Sequence, residues 1–247
     1  MLDPVILDPV TAYDRIGPLF ARVAEKRRPY LDSVDQLVIS GIPPGSGCML
    51  DVGSGDGSRA RRIAQARHIA ELVLVEPSVG MHGSDANFRT MRAEDLHSIK
   101  AEFDVITCLW NVLGHIFPSA SRLEVLHQFA RLVSPQGRIF VDLHHRYNVR
   151  HYGAIPTVLR FLRDHLRWKA TNGDVIVAWN VEQVRCTTRG HVFTHPEFCS
   201  LAQAAGLNVV NEFAVDYATG ERRRWRFKGH LHYVLARTAL PSVLQTS

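Results

Sequence analysis

The stretch richest in chemistry is Leu50-Asp-Val-Gly-Ser-Gly-Asp-Gly-Ser58. Three glycines at alternate positions permit a tight turn and let backbone come close to a ligand. A short apolar strand, Cys48 to Val52, runs into it, and Ser58 to Arg67 reads as a helix leading out. The loop therefore offers unpaired N–H groups at a helix N-terminus to something electron-rich. Glu76 ends the next apolar run, about 20 residues on, where a carboxylate accepts two hydrogen bonds from a ribose diol. Loop, helix and acid together describe a nucleoside site.

Two ligand classes fit that description. Gly55-Asp-Gly57-Ser-Arg-Ala60 satisfies the dinucleotide pattern G-x-G-x-x-G/A. Asp51 and Asp56, however, bracket the loop with negative charge, which opposes a pyrophosphate and suits a cation bearing an amino group. S-adenosylmethionine, with a sulfonium, an ammonium and an adenosine, is such a ligand.

The loop resembles motif I of the class I S-adenosylmethionine-dependent methyltransferases. Val75-Glu-Pro-Ser78 with Met81 resembles the family's ribose-binding strand end, and Arg92-Ala-Glu-Asp-Leu96 its adenine-contacting segment. Leu132-Val-Ser-Pro-Gln-Gly-Arg-Ile139 resembles the turn into the fifth strand. Thr194-His-Pro-Glu-Phe198 with Ala205-Gly-Leu207 resembles the helix before the sixth. These segments occur in family order across residues 48–236. The resemblance implies that Gly53, Gly55 and Gly57 line the methionine moiety and that Asp51 orients its ammonium. Glu76 takes the ribose hydroxyls, and Met81 packs near the adenine. Asp95 accepts from the adenine amino group, with backbone contacts from Ala93, Glu94 and Leu96. Leu109 and His115 complete the cofactor side.

The acceptor side is less specific. Thr107-Cys-Leu-Trp-Asn-Val-Leu-Gly-His115 lacks the Asn/Asp-Pro-Pro-Tyr/Phe of nucleobase amino-group methyltransferases. Cys108 has no following proline and reads as a packing residue. Cys-Leu-x-Asn-x-x-x-His resembles glycine and sarcosine N-methyltransferases, which implies that Asn111 faces substrate and His115 the cofactor. Asp142-Leu-His-His-Arg-Tyr-Asn148 resembles, with a shift, the run whose arginine grips a substrate carboxylate in those enzymes, which points to Arg146. His144 and His145 are candidate general bases, of which the pleat points only one into a pocket. Tyr13, in a segment resembling the one that folds over the cofactor, would cover the reacting methyl. Each residue also has a structural reading: core packing for Met81, Trp110 and Tyr13, a helix cap for Asp95, a backbone-bonded histidine for His115, a surface ion pair for Arg146.

Strands alternating with helices must position these groups, which implies an α/β fold: a Rossmann-like, doubly wound, mostly parallel seven-stranded sheet with an antiparallel last strand. We expect one domain over residues 1–247. Residues 1–10 form a loose arm, and residues 11–40 form two helices broken at Pro29. Residues 48–146 are the cofactor-binding core. Residues 147–190 are a substrate-side antiparallel insertion, with a helix from Thr157 to His165, strands at 166–171 and 175–186, and a hairpin turn at Asn172-Gly173. Residues 191–236 complete the sheet, and 239–247 are frayed.

Of the 247 residues, 46% are hydrophobic and 21% charged, which suits a buried core and excludes a disordered chain. No apolar run reaches about 18 residues, so no membrane span is expected. Met1-Leu-Asp-Pro4 lacks the charge of a signal peptide, so the expected compartment is cytoplasmic. Four cysteines without Cys-x-x-Cys spacing predict neither disulfide nor metal. The function expected is methyl transfer from S-adenosylmethionine to a small-molecule acceptor, through nitrogen or oxygen, with an acidic acceptor suggested by Arg146. An RNA or tRNA methyltransferase is the alternative, because the net charge is +5 and Glu221 to Lys228 interleaves arginines with aromatics. A solvated hairpin explains the same string. An NAD(P)-dependent oxidoreductase must explain away the later motifs, and a non-catalytic cofactor-binding protein is the remaining reading. Oligomeric state is left open.

Overall fold

The computed structural model describes residues 5–82 and 88–238. The expected arm at 1–4 and the tail at 239–247 lie outside the described residues. Residues 5–10 are not a loose arm. Ile6–Leu7 (β1) pairs with Thr187 and Thr188, and Pro9–Glu25 is already helix (α1). Its start is fixed by Asp8, whose carboxylate accepts from Val10 N–H at 3.0 Å, and by Pro9 in the first turn, where no N–H is needed. Pro29 likewise sits in the first turn of Arg28–Gly41 (α2), so the helical run breaks just before it.

From there strands and helices alternate: Cys48–Val52 (β2), Ser58–Ala66 (α3), Glu71–Val75 (β3), Phe88–Arg89 (β4), Phe103–Cys108 (β5), Ser119–Leu132 (α4) and Val133–Leu143 (β6). After a segment formed by Val149–Tyr152 (α5), Ala154–Leu166 (α6), Asp174–Val181 (β7) and Val184–His191 (β8), the alternation resumes. It continues with His195–Ala204 (α7), Leu207–Val215 (β9), Arg222–Arg223 (β10) and His230–Arg237 (β11). The main sheet runs β10-β9-β11-β6-β5-β2-β3-β4, parallel from β6 to β4 and antiparallel around β11. It has eight strands; the one beyond the expected seven is the two-residue edge β10.

The period of two along buried strands explains the layers. On β6, Ile139 and Val141 pack with Leu126 and Phe129 of α4 and Phe198 of α7, while Phe140 packs on the other face with Val34 and Leu37 of α2. Each such fully buried side chain stabilises the fold by about 1.5–3 kcal/mol. Phe140→Ala would cost about 3 kcal/mol or more, because a cavity is left as well.

The 147–190 segment departs from expectation. The stretch 166–171 is not a strand; α6 runs through Leu166 and a short helical turn follows at Ala170–Gly173. The hairpin turns at Glu182, in left-handed conformation with φ +54°, between β7 and β8. Gly173 is required for close approach instead: a Cβ there would lie 2.3 Å from Arg146 Nη2 and 2.4 Å from the Val192 carbonyl oxygen. The Asn-Gly signal thus marked a packing contact, and the true turn carries no glycine. With β1, this hairpin makes a separate three-stranded sheet.

Candidate active site

The turn after β2 is built by backbone. Gly53 N–H donates to the Val75 carbonyl at 2.8 Å, tying the loop to the end of β3. Gly53 has φ +74°, and a Cβ there would meet Val112 at 2.4 Å, so only glycine fits. Gly55 N–H donates to Glu76 Oε2 at 3.0 Å and Ser78 N–H to Oε1 at 2.9 Å. Each oxygen keeps a second lone pair for a ligand. Burial raises the Glu76 carboxyl above its ordinary value, against the two backbone donors. Asp51, at the end of β2, accepts from Thr107 Oγ1 at 2.5 Å, and burial pushes its carboxyl up to about 6. Met81 and Phe20 flank Gly55. Helix α1 is held over this end by Asp14, which accepts from Ser78 Oγ at 2.7 Å and Gly80 N–H at 2.9 Å.

The neighbouring wall is the end of β5. Trp110 and Asn111 both take left-handed backbone, with φ +60° and +61°. Such strain persists where the surroundings over-determine it. Asp142 supplies part of the restraint, accepting from Trp110 N–H at 3.1 Å and from Tyr30 Oη at 2.5 Å. Asn111 supplies the rest. Its amide donates to the His191 carbonyl at 3.2 Å and accepts from His144 N–H at 3.0 Å. Each amide atom thus has one backbone partner. Asn111 borders the cavity, but its side chain joins β6 and β8 to the end of β5.

These walls enclose one cavity of about 640 Å³. At one side lie Asp51, Gly53, Gly55, Glu76, Met81, Ala93 and Glu94; Leu109, Asn111 and His115 lie along β5 and the turn after it. Tyr13 Oη lies 3.1 Å from His115 Nε2, and His115 Nδ1 lies 3.0 Å from the Arg189 carbonyl. A carbonyl only accepts, so His115 carries its proton on Nδ1 and accepts the tyrosine O–H on Nε2. Burial lowers His115 to about 4 and, with the charge of Glu76, raises Tyr13. Both are neutral at pH 7. His144 also borders the cavity; burial, with smaller contributions from His151, His115 and Arg27, pushes it down to about 3, and among the described residues its Nε2 has no hydrogen-bond partner.

The strand order and the cavity at the strand ends are those of a known family. A family model described as "Methyltransferase domain" matches residues 23–212. The chain belongs to the methyltransferase-domain family. It is a class I methyltransferase, and its cofactor is S-adenosylmethionine. No curated protein matches the methyltransferase in sequence. Among solved structures, the CcbJ methyltransferase from Streptomyces caelestis is similar at 15% identity and TM-score 0.67, over 93% of this chain and 98% of that one. An S-adenosylmethionine-dependent methyltransferase from Clostridium acetobutylicum matches at 12% identity and TM-score 0.63, over 90% and 99%. CalS10 from Micromonospora echinaspora, an amino pentose methyltransferase with bound S-adenosylmethionine, matches at 14% and 0.58, over 89% and 97%. At these identities the likeness is one of fold.

The methyltransferase does not gather every expected residue. Arg146 is a correction. It is fully buried outside the cavity, with Nη1 3.1 Å from Asp164, Nη2 2.7 Å from Glu197 and Nε donating to the Val192 carbonyl. All three of its guanidinium nitrogens are engaged within the chain, and it joins α6 to the capping box of α7. His145 is a second correction: it points to the opposite side of the strand end, its Nδ1 2.9 Å from the Arg226 carbonyl. Asp95 is exposed on its turn, and Leu96 is in the apolar core. Gly57 faces Leu74 and Arg61. None of these three borders the cavity. Sequence reasoning missed Phe20, His151, Tyr152, Arg160 and Tyr217, which do. Their only signal was aromatic and basic residues in segments lacking a motif.

Proposed function

We propose that this enzyme moves a methyl group from S-adenosylmethionine to a small molecule bound between the glycine loop and the segment after β6. The observation that carries this reading is the shared cavity. One wall is the loop with Glu76; the opposite wall is His151, Tyr152 and Arg160 from α5 and α6, with Val175, Ile176, Val177 and Trp179 from β7. A space of this size holds a cofactor and a small acceptor and excludes a nucleic-acid duplex. Amino-pentose and sugar N-methyltransferases among the structurally similar proteins support the same acceptor class.

The residues fit the cofactor. Glu76 has free lone pairs for a ribose diol, Asp51 offers a carboxylate for an ammonium, and the loop backbone has no side chain to block approach. Bound there, S-adenosylmethionine supplies an electrophilic methyl on a sulfonium. The chain's own part is to bring the acceptor into line, exclude water and manage one proton. Aromatic rings do the first two: Phe20 and Trp110 lie 5.1 Å apart, and Tyr13 contacts Phe20 and Trp179. His144, held neutral, accepts a hydrogen bond from an acceptor N–H or O–H at Nε2 and so orients it; lowered to about 3, it is too weak a base to keep the proton, which is lost once the methylated product reaches solvent. Tyr13, fixed by His115, orients the acceptor from the other side.

Turnover decides between acceptor classes. With S-adenosylmethionine present, a panel of small amines, phenols and carboxylates should yield S-adenosylhomocysteine, and tRNA transcripts should not. Product with transcripts alone would overturn the small-molecule reading.

A further inference from the structure

The cavity is electrically divided. Among the described residues, the hydrogen bonds to the acids of the loop end, Asp51 and Glu76, come from hydroxyl or backbone donors; Arg59 acts on Asp51, and His82 on Glu76, only through charge. The arginines of that rim are already paired: Arg59 and Arg62 with Asp35, Arg92 with Asp8. Glu25 and Asp32, from α1 and α2, lie beside Arg28. The opposite end has the reverse character. His144, His151, Tyr152, Arg160 and Tyr217 border it, and none is acidic.

Arg160 is the unusual member. Its guanidinium lies 4.1 Å from the Tyr152 ring centroid, and its Nη1 is buried without a hydrogen-bond partner. Among the described residues it has no carboxylate partner, whereas Arg163, on the next turn of α6, pairs with Asp164. A buried unpaired N–H is costly, so the position calls for an acceptor atom from a ligand. The rings around it form a continuous wall. Tyr152 meets His151 at 4.5 Å, His151 meets Tyr217 at 5.3 Å, and Tyr217 meets His144 at 5.3 Å and accepts from Trp110 Nε1 at 3.2 Å. Arg27 adds positive charge 4.3 Å from the Tyr217 ring.

Resting on the methyl-transfer reading above, we infer that the acceptor carries a carboxylate held by Arg160, on a flat ring that slides along the wall of Tyr152, His151 and Tyr217. The guanidinium fork matches a carboxylate in two parallel hydrogen bonds. The rings match an aromatic frame. The ring then extends past His144 and Trp110 toward Gly55, so that the acceptor atom reaches the cofactor end while its charge stays at the other. An anion at one end and a cation at the other satisfy both halves of the cavity.

The test uses the whole chain saturated with S-adenosylhomocysteine. Benzoate, 4-hydroxybenzoate and phenylacetate are titrated by calorimetry, each against its neutral amide, into the native enzyme, Arg160→Lys and Arg160→Met. The expected result is that at least one carboxylate binds about tenfold or more tightly than its amide to the native enzyme. Arg160→Lys should keep part of that preference, and Arg160→Met should lose it. S-adenosylhomocysteine should bind all three proteins equally, which also shows that they fold. Equal affinity for carboxylate and amide, a preference that survives in Arg160→Met, or no carboxylate binding below about 10 mM would each overturn the inference. Failure of S-adenosylhomocysteine to bind the native enzyme would instead overturn the methyl-transfer reading on which it rests.

Discussion

At the loop end of the cavity, Asp51, Glu76 and Glu94 come from residues 51–94: Asp51 at the end of β2, Glu76 one residue beyond β3, and Glu94 in the helical turn that follows β4. At the far end, His144, His151, Tyr152, Arg160 and Tyr217 come from four separate places in the fold, and Trp110 joins them through one hydrogen bond. The first end is acidic and fixed by backbone; the second is aromatic and basic and fixed by side chains. A site whose parts are held by main-chain geometry can be read as a motif. A site assembled from side chains of distant segments cannot, although it decides what is methylated.

The sharpest way to break this division is through Arg146, which sequence similarity assigned to the acceptor end. Arg146→Leu leaves Glu197 without its guanidinium and Asp164 with only the half-exposed Arg163, which costs about 3 kcal/mol. Urea unfolding should show that loss, while the variant's affinity for S-adenosylhomocysteine, measured well below its unfolding midpoint, stays native. A stable variant with weakened acceptor binding would put Arg146 back in the site. Next in size is Glu76→Ala. Losing charge-assisted hydrogen bonds to the ribose should weaken S-adenosylhomocysteine binding by about 2 kcal/mol, roughly thirtyfold, by calorimetry. Unchanged affinity would show that the nucleoside lies elsewhere.

The pH dependence separates the two ends further. Asp51, pushed up to about 6 by burial, is ionised at pH 7 and gains a proton as pH falls through that value. Affinity for the cofactor's ammonium should therefore be nearly level above about pH 7 and fall about fivefold between pH 6 and 5. His144 and His115, lowered to about 3 and about 4, stay neutral throughout that window and contribute nothing to the drop. An affinity that is level down to pH 5 would remove Asp51 from the ammonium site. The smallest effect separates two adjacent acids. Glu94 borders the cavity and Asp95 is exposed outside it, so Asp95→Ala should change affinity by less than about 0.5 kcal/mol. Glu94→Ala should change it more.

Much of the architecture was legible because the signals were local. Alternating apolar runs gave the sheet, Pro29 gave the break between α1 and α2, and the glycine loop with Glu76 proved to border the cavity. The failures share one physical cause. Gly173 serves a close contact beneath Arg146 and so mimicked a turn, while the real turn rests on Glu182, whose left-handed backbone no sequence signal announced. Asn111 borders the cavity as expected of a substrate contact, but its amide also bonds backbone at the end of β6 and on β8, partners that only the fold brings near. Arg160 was invisible because nothing in its own helix distinguishes it from Arg163; the difference lies in Asp164, which pairs with one and not the other.

The central claim is that the cofactor lies with its ribose on Glu76 and its sulfur facing the aromatic end. A crystal structure of the complex with S-adenosylhomocysteine tests it directly. The account predicts both ribose hydroxyls within about 3.2 Å of the Glu76 carboxylate, the amino group beside Asp51, and the sulfur open toward Trp110, Tyr13 and His144. A ribose bound away from Glu76, or a sulfur turned from those three side chains, would contradict it.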